Sequence, residues 1–141
     1  RDAAHIRLIN AIEHNQELPF NLKDQVIFYV GPTPAKPNQV IGACGPTSSY
    51  RMDQFSPILM ERGLKVMIGK GPRSSDFTKE CIKHQAVYLL AIGGLGAKLS
   101  QTVKSNKTIA YDDLGTEAIR ELVVKDFPAI VAIDSKGNSI L

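Results

Sequence analysis

Four short apolar runs constrain this chain more than any other feature: QVIFYV (25–30), QVIGAC (39–44), LKVMIG (64–69) and AVYLLAI (86–92). Each is shorter than a typical helix and bounded by turn or polar residues, the pattern of a buried strand. Helix signals lie around and between them. Asp2 is placed to N-cap a helix reaching residue 15, with His5, Leu8, Ile9 and Ile12 on one face. Ser56-Pro57 has the N-cap and N1 pattern, and Gly63 suits the C′ position. SSDFTKECIKH (74–84) reads as a capped helix, and GGLGAKLSQTV (93–103) as a turn into another. Alternating strands and helices predict an α/β fold with a parallel or mixed sheet. Toward the end, IAY (109–111) reads as a short strand and AIRELVV (118–124) fits either helix or strand. AIVAID-SKGN-SIL reads as a terminal hairpin turning at 135–138.

A chain of 141 residues is one domain by size. No apolar run approaches the roughly 20 residues of a membrane-spanning helix. The net charge of +3 is spread thinly: Lys98, Lys104 and Lys107 form no dense run and have no aromatic residues between them. That pattern does not favour nucleic acid, and the mild excess suits a small acidic ligand. Two cysteines, Cys44 and Cys81, are too few for a disulfide framework, a structural zinc site or an iron–sulfur cluster. Both read as small buried hydrophobes, which fits a reducing, cytoplasmic setting. The chain opens on Arg1 rather than Met, so we expect its natural start to lie upstream.

Ligands of open α/β sheets gather outside the carboxyl ends of the strands. Three predicted strand ends carry suitable groups. The first is GPTSSYRMD (45–53), with Gly45, Thr47, Ser48 and Arg51; the second is Lys70 inside Gly-Lys-Gly; the third is Gly93-Gly94 ahead of a helix. Glycines let backbone N–H groups approach an anion, a guanidinium grips a carboxylate at two points, and Lys acts as a point charge. Each feature has an ordinary reading too: hydroxyls after Gly-Pro cap helices, a turn lysine is solvated, a Gly pair permits tight packing, and His5 on an apolar face is a core histidine. No Walker loop, dinucleotide fingerprint or zinc motif is present. Residue spacing alone leads to an anion-binding α/β domain.

The order of several short blocks goes further. They are Arg1-Asp2-Ala3-Ala4-His5, Tyr29-Val30-Gly31-Pro32, Pro34-Ala35-Lys36-Pro37, Gly45-Pro46-Thr47-Ser48 with Arg51-Met52, and Met67 to Gly71. Ile92-Gly93-Gly94, Leu114-Gly115-Thr116-Glu117-Ala118 and Asp126-Phe127-Pro128 follow. In this sequence and spacing the chain resembles the β subunit, or C-terminal domain, of the iron–sulfur hydro-lyases: class I fumarases and L-tartrate dehydratases. The resemblance runs nearly the whole chain. It implies a three-layer β/β/α swivelling domain with a mixed sheet over residues 1–141, preceded in family members by a further β-rich segment.

It also implies reversible dehydration of a 2-hydroxy dicarboxylate, malate to fumarate or tartrate to oxaloacetate. The [4Fe–4S] cluster would sit on an α partner, in an α2β2 assembly, with one iron open to the substrate. Thr47 would assist removal of the C3 proton, provided a neighbour activates its weakly acidic hydroxyl. Arg1, Ser48, Arg51 and Lys70 would hold the carboxylates, with Gly45, Gly93 and Gly94 as a backbone cradle and no metal ligand in this chain. Ser48 stands where the family often has a second Thr, and Tyr50 where it has a small residue. Two other readings use the same residues: a stand-alone binding module for a small carboxylate or phosphate, and a scaffold chain without catalysis.

Overall fold

The computed structural model describes residues 1–141. In chain order the elements are α1 (Asp2–Glu13), β1 (Val26–Phe28), α2 (Ser56–Glu61), β2 (Val66–Gly69), α3 (Ser75–His84) and β3 (Val87–Leu90). They continue with α4 (Gly96–Gln101), β4 (Val103–Ala110), β5 (Ile119–Val124) and β6 (Ile130–Ile133). The main sheet has the order β1-β2-β3-β6, with β1, β2 and β3 parallel and β6 antiparallel to β3. β4 and β5 form a second, antiparallel sheet.

Side chains alternate across a strand, and here the alternation divides the core. Tyr29, Met67 and Tyr88 join Leu8 of α1, Leu59 and Met60 of α2, and Phe77 and Cys81 of α3. Phe28 and Ile68 belong to the opposite cluster, with Cys44, Leu99 of α4 and Leu122 of β5. Helices, main sheet and second sheet therefore stack in three layers around a mixed sheet, as the resemblance implies. An apolar cleft of about 550 Å³ runs between the sheets, lined by Phe28, Ile68 and Leu89 on one side and Ile119, Leu122 and Phe127 on the other.

Several expectations need correction. Residues 39–44 form no strand. Their backbone partners are scattered: Thr33 N donates to Ala43 O, Ala43 N to Thr33 Oγ1, and Cys44 N to Gly96 O. The neighbouring segment contains Pro32, Pro34 and Pro37, which lack the N–H groups a ladder requires. Cys44 is buried without being in a strand. Asp2 does not cap α1; it occupies the first turn, and the cap position, Arg1, makes no side-chain cap bond. Ser56 likewise lies inside α2, and its hydroxyl donates to Met52 O. The polar stretch 103–110 is a full strand, held by cross-strand pairs such as Lys107 opposite Glu121 and by Arg120 Nη1 donating to Thr108 Oγ1. The same pairing decides 118–124 as strand. Gly63, at φ +100°, ends α2 as expected, and Ser74 caps α3 through Phe77 N.

Under the carboxyl ends of the main strands lies a group that sequence inspection did not single out. The Arg73 side chain is fully buried and its Nε lies 2.5 Å from Asp53 Oδ1. Its guanidinium sits 3.5 Å from the centre of the Phe77 ring and 4.7 Å from that of Tyr88. Its Nη2 donates to Ser56 Oγ, and Asp53 Oδ2 also accepts from Ser74 N. Removing one partner of a buried pair strands the other, a loss of about 3–5 kcal/mol. Arg73→Met should destabilise the chain by that order in urea unfolding, and adding Asp53→Asn should restore part of it. A loss under about 1 kcal/mol in the single variant would show that the pair is dispensable.

Candidate active site

The segment beginning at Gly45 threads between the carboxyl ends of β1 and β2. Pro46 bridges Val30 and Ser48 bridges Lys70. Thr47 N donates to Tyr29 O. The junction with Lys70 is closed twice: Ser49 N donates to Lys70 O, and Lys70 N to Ser49 Oγ, both at 3.0 Å. Gly69 makes room for this clasp, because a Cβ there would lie 1.8 Å from Ser49 Oγ. On the other side, a Cβ at Gly96 would lie 2.8 Å from Gly45 N, so the start of α4 packs directly on Gly45. The Gly45 and Lys70 loops are thus joined, although the first does not follow a strand, and the third predicted loop approaches them through Gly96. Gly93 and Gly94 form an exposed turn before α4.

Within this frame Ser49–Met52 forms one 3-10 turn that lifts Arg51 out of the core. Arg51 Nε and Nη2 donate to the two oxygens of Asp2, each at 3.1 Å, and Nη2 also donates to Thr47 Oγ1 at 2.9 Å. The guanidinium holds the Asp2 carboxyl below its ordinary range. Arg1 stands one residue before Asp2, its Nε 3.4 Å from Glu117 Oε1. Glu117 also accepts from Ala3 N, serving the free N–H groups at the start of α1. Gly31 leaves space for Arg1, since a Cβ there would come within 2.8 Å of Arg1 Nη1. Lys70 is exposed and enters none of the ion pairs.

Thr47 and Arg51 therefore touch, Ser48 and Lys70 adjoin along the backbone beside them, and Arg1, next to Asp2, turns to Glu117 and the cleft between the sheets. Asp2, Ser49 and Glu117 are partners that residue spacing did not reveal. Asp2 and Glu117 lie inside two of the quoted blocks, the only signal the sequence offers for them. Tyr50 turns outward and is 60% exposed. The cysteines lie in separate core clusters on opposite faces of the main sheet, and burial raises both thiols above their ordinary value, Cys81 to about 11. They do not fit an iron–sulfur cluster, and no group of three or more His, Cys, Asp or Glu is placed to hold a metal ion.

The family model for the fumarase C-terminus matches residues 1–141. The chain belongs to this family. It is 41% identical over 140 residues to the anaerobic class I fumarate hydratase of Escherichia coli K12, a match covering 98% of this chain and 26% of that protein. It is 38% identical to the mitochondrial fumarate hydratase 1 of Leishmania major, with 98% and 26% covered. A Methanocaldococcus jannaschii chain named as an L(+)-tartrate dehydratase subunit beta is 38% identical over 146 residues, covering 99% of this chain and 75% of that one. The chain thus spans about a quarter of the fumarate hydratases it matches, and most of the separate β subunit. No helix is long and apolar enough to cross a membrane.

His5, in the first block of this family match, is a core residue. It is 3% exposed, its ring lies against Tyr29 and Phe55, and burial lowers its pKa to about 4. Its Nδ1 is 2.8 Å from Arg1 O; a carbonyl only accepts, so the neutral ring carries its proton there. Because the folded pKa lies below the unfolded value near 6.5, the unfolded chain binds a proton first as pH falls. Stability from His5 should be full above pH 6.5 and decline between pH 6.5 and about 4. Urea unfolding across that range should show the slope, and His5→Gln should flatten it. An unchanged slope in the variant would assign the acid sensitivity elsewhere.

Proposed function

We propose that this chain is the β-type part of a [4Fe–4S]-dependent hydro-lyase that reversibly dehydrates a 2-hydroxy dicarboxylate. Malate to fumarate is the first choice of reaction, and tartrate to oxaloacetate the second. The observation that carries the reading is the joined Asp2–Arg51–Thr47 group beside Arg1 and Lys70, in a chain matched end to end by the fumarase C-terminal family. The cluster belongs on an α partner, since the cysteines here do not fit it, and an α2β2 cytoplasmic assembly is the form we expect.

This chain's own groups divide the work as follows. Arg51 retains two unused donors on Nη1, and Lys70 an unpaired ammonium, for substrate carboxylates. Thr47 Oγ1 accepts from Arg51, so its own O–H is free to donate outward. In the resting site Thr47 is therefore a donor to the substrate. To take the C3 proton it must first pass its own to a base, a part left to a carboxylate of the α partner because Asp2 is taken up by Arg51; the guanidinium on Oγ1 favours that transfer. Removing a proton beside a carboxylate delocalises negative charge onto that carboxylate, where fixed cations stabilise it more than they stabilise the ground state. Ser48 adds a hydroxyl at the same edge, and the backbone at Gly45, Gly93 and Gly94 is open to a ligand.

The test is anaerobic co-production with a cluster-bearing α chain, followed by turnover of malate, fumarate and tartrate. Arg51→Ala and Thr47→Val should each lower kcat/KM by about 10²–10³-fold with the fold intact. Absence of turnover with any cognate partner, together with tight calorimetric binding of a small anion to the isolated chain, would favour the stand-alone binding module.

A further inference from the structure

Arg51 is an exposed-edge side chain with several rotatable bonds, yet its head is held at three points. We propose that Asp2 is a positioning residue for the dehydration, fixing the Arg51 guanidinium so that Nη1 and the Thr47 hydroxyl face the substrate carboxylate together. This rests on reading the site as a dicarboxylate site.

The donor count supports it. A guanidinium has five N–H groups. Two go to the Asp2 oxygens and one to Thr47, which leaves only the pair on Nη1. A two-point carboxylate–guanidinium pair sets both the distance and the plane of the fork. With that plane set, the hydrogen bond accepted by Thr47 turns its hydroxyl proton away from the guanidinium.

The placement of Asp2 supports it independently. An acidic residue at the start of a helix ordinarily serves the free N–H groups there. Asp2 keeps a contact with its own N–H, yet both its oxygens reach 49 residues along the chain to Arg51. The next N–H of the helix start, Ala3 N, donates to Glu117 instead, brought from the other end of the sequence.

Electrostatics gives the proposal a sign. Asp2 places a negative charge where an anion is to bind, which weakens ground-state attraction. Its contribution is orientation, realised in the transition state. Replacing it should lower turnover without weakening dicarboxylate binding, whereas a merely structural role would raise KM and lower thermal stability together.

The experiment uses the chain assembled with its cluster-bearing partner. Asp2→Asn, Asp2→Ala and Arg51→Ala are compared for malate turnover, for calorimetric affinity toward succinate (an unreactive dicarboxylate) and for Tm. Both Asp2 variants should lose at least about tenfold in kcat. In Asp2→Asn, KM and the succinate Kd should be unchanged or lower, with Tm preserved. Turnover within twofold of wild type in Asp2→Asn, while Arg51→Ala is inactive, overturns the role of Asp2 and leaves the site reading standing. A parallel rise in KM and succinate Kd with a fall in Tm also overturns it, as structural. Wild-type turnover in Arg51→Ala overturns the site reading itself.

Discussion

The buried charge of Arg73 is the constraint on which the rest of the site depends. A guanidinium removed from water needs a counter-charge and hydrogen-bond acceptors, and aromatic faces are its most favourable apolar neighbours. Asp53, Ser56, Phe77 and Tyr88 supply these from the residue that closes the 3-10 turn, α2, α3 and β3. Because all four must converge on one group, the turn bearing Arg51 and the loop bearing Lys70 are held at one separation. Arg51 precedes Asp53 by two residues, and Lys70 precedes Arg73 by three. A buried pair of this kind is weak as a source of net stability, whereas removing one partner is costly.

Above that pair the exposed cations follow a different rule. Arg1 and Arg51 each have a carboxylate partner, Glu117 and Asp2, while Lys70 has none. The site is thus cationic without being a dense positive patch, as suits recognition of a small anion at a defined angle. The clasp between Ser49 and Lys70 adds rigidity, and Gly69 is the residue that permits it. The cleft between the sheets is mostly apolar, and Arg1 stands in its lining together with Arg120, so the cationic group borders this cleft.

Much of this was legible beforehand, and the failures have physical causes. β1, β2 and β3 are visible as apolar runs because both of their faces are covered. α3 is visible because Ser74 caps it locally. Residues 39–44 look like the same kind of strand, but a proline-rich neighbour denies them a ladder. Of β4 only the end, at IAY, looks like a strand, because one face is open and its stability comes from β5. Asp2 and Ser56 look like caps because the local pattern is right, yet distant groups, Arg51 and Arg73, claim their side chains.

The sequence by itself determined the alternation of strands and helices, the breaks at Gly and Pro, and the set of cationic and hydroxyl residues available for an anion. These follow from local propensity and from side-chain chemistry, which travel with the chain. The fold alone decided which of them touch. Asp2 meeting Arg51, Glu117 meeting the start of α1, and Arg73 sinking beneath both loops are contacts between residues far apart in the chain. For Arg73 burial selects the contact, because an unpaired group carries its full desolvation cost only once the layers have packed. The part-exposed pairs of Asp2 and Glu117 form because the packed layers bring distant segments within reach.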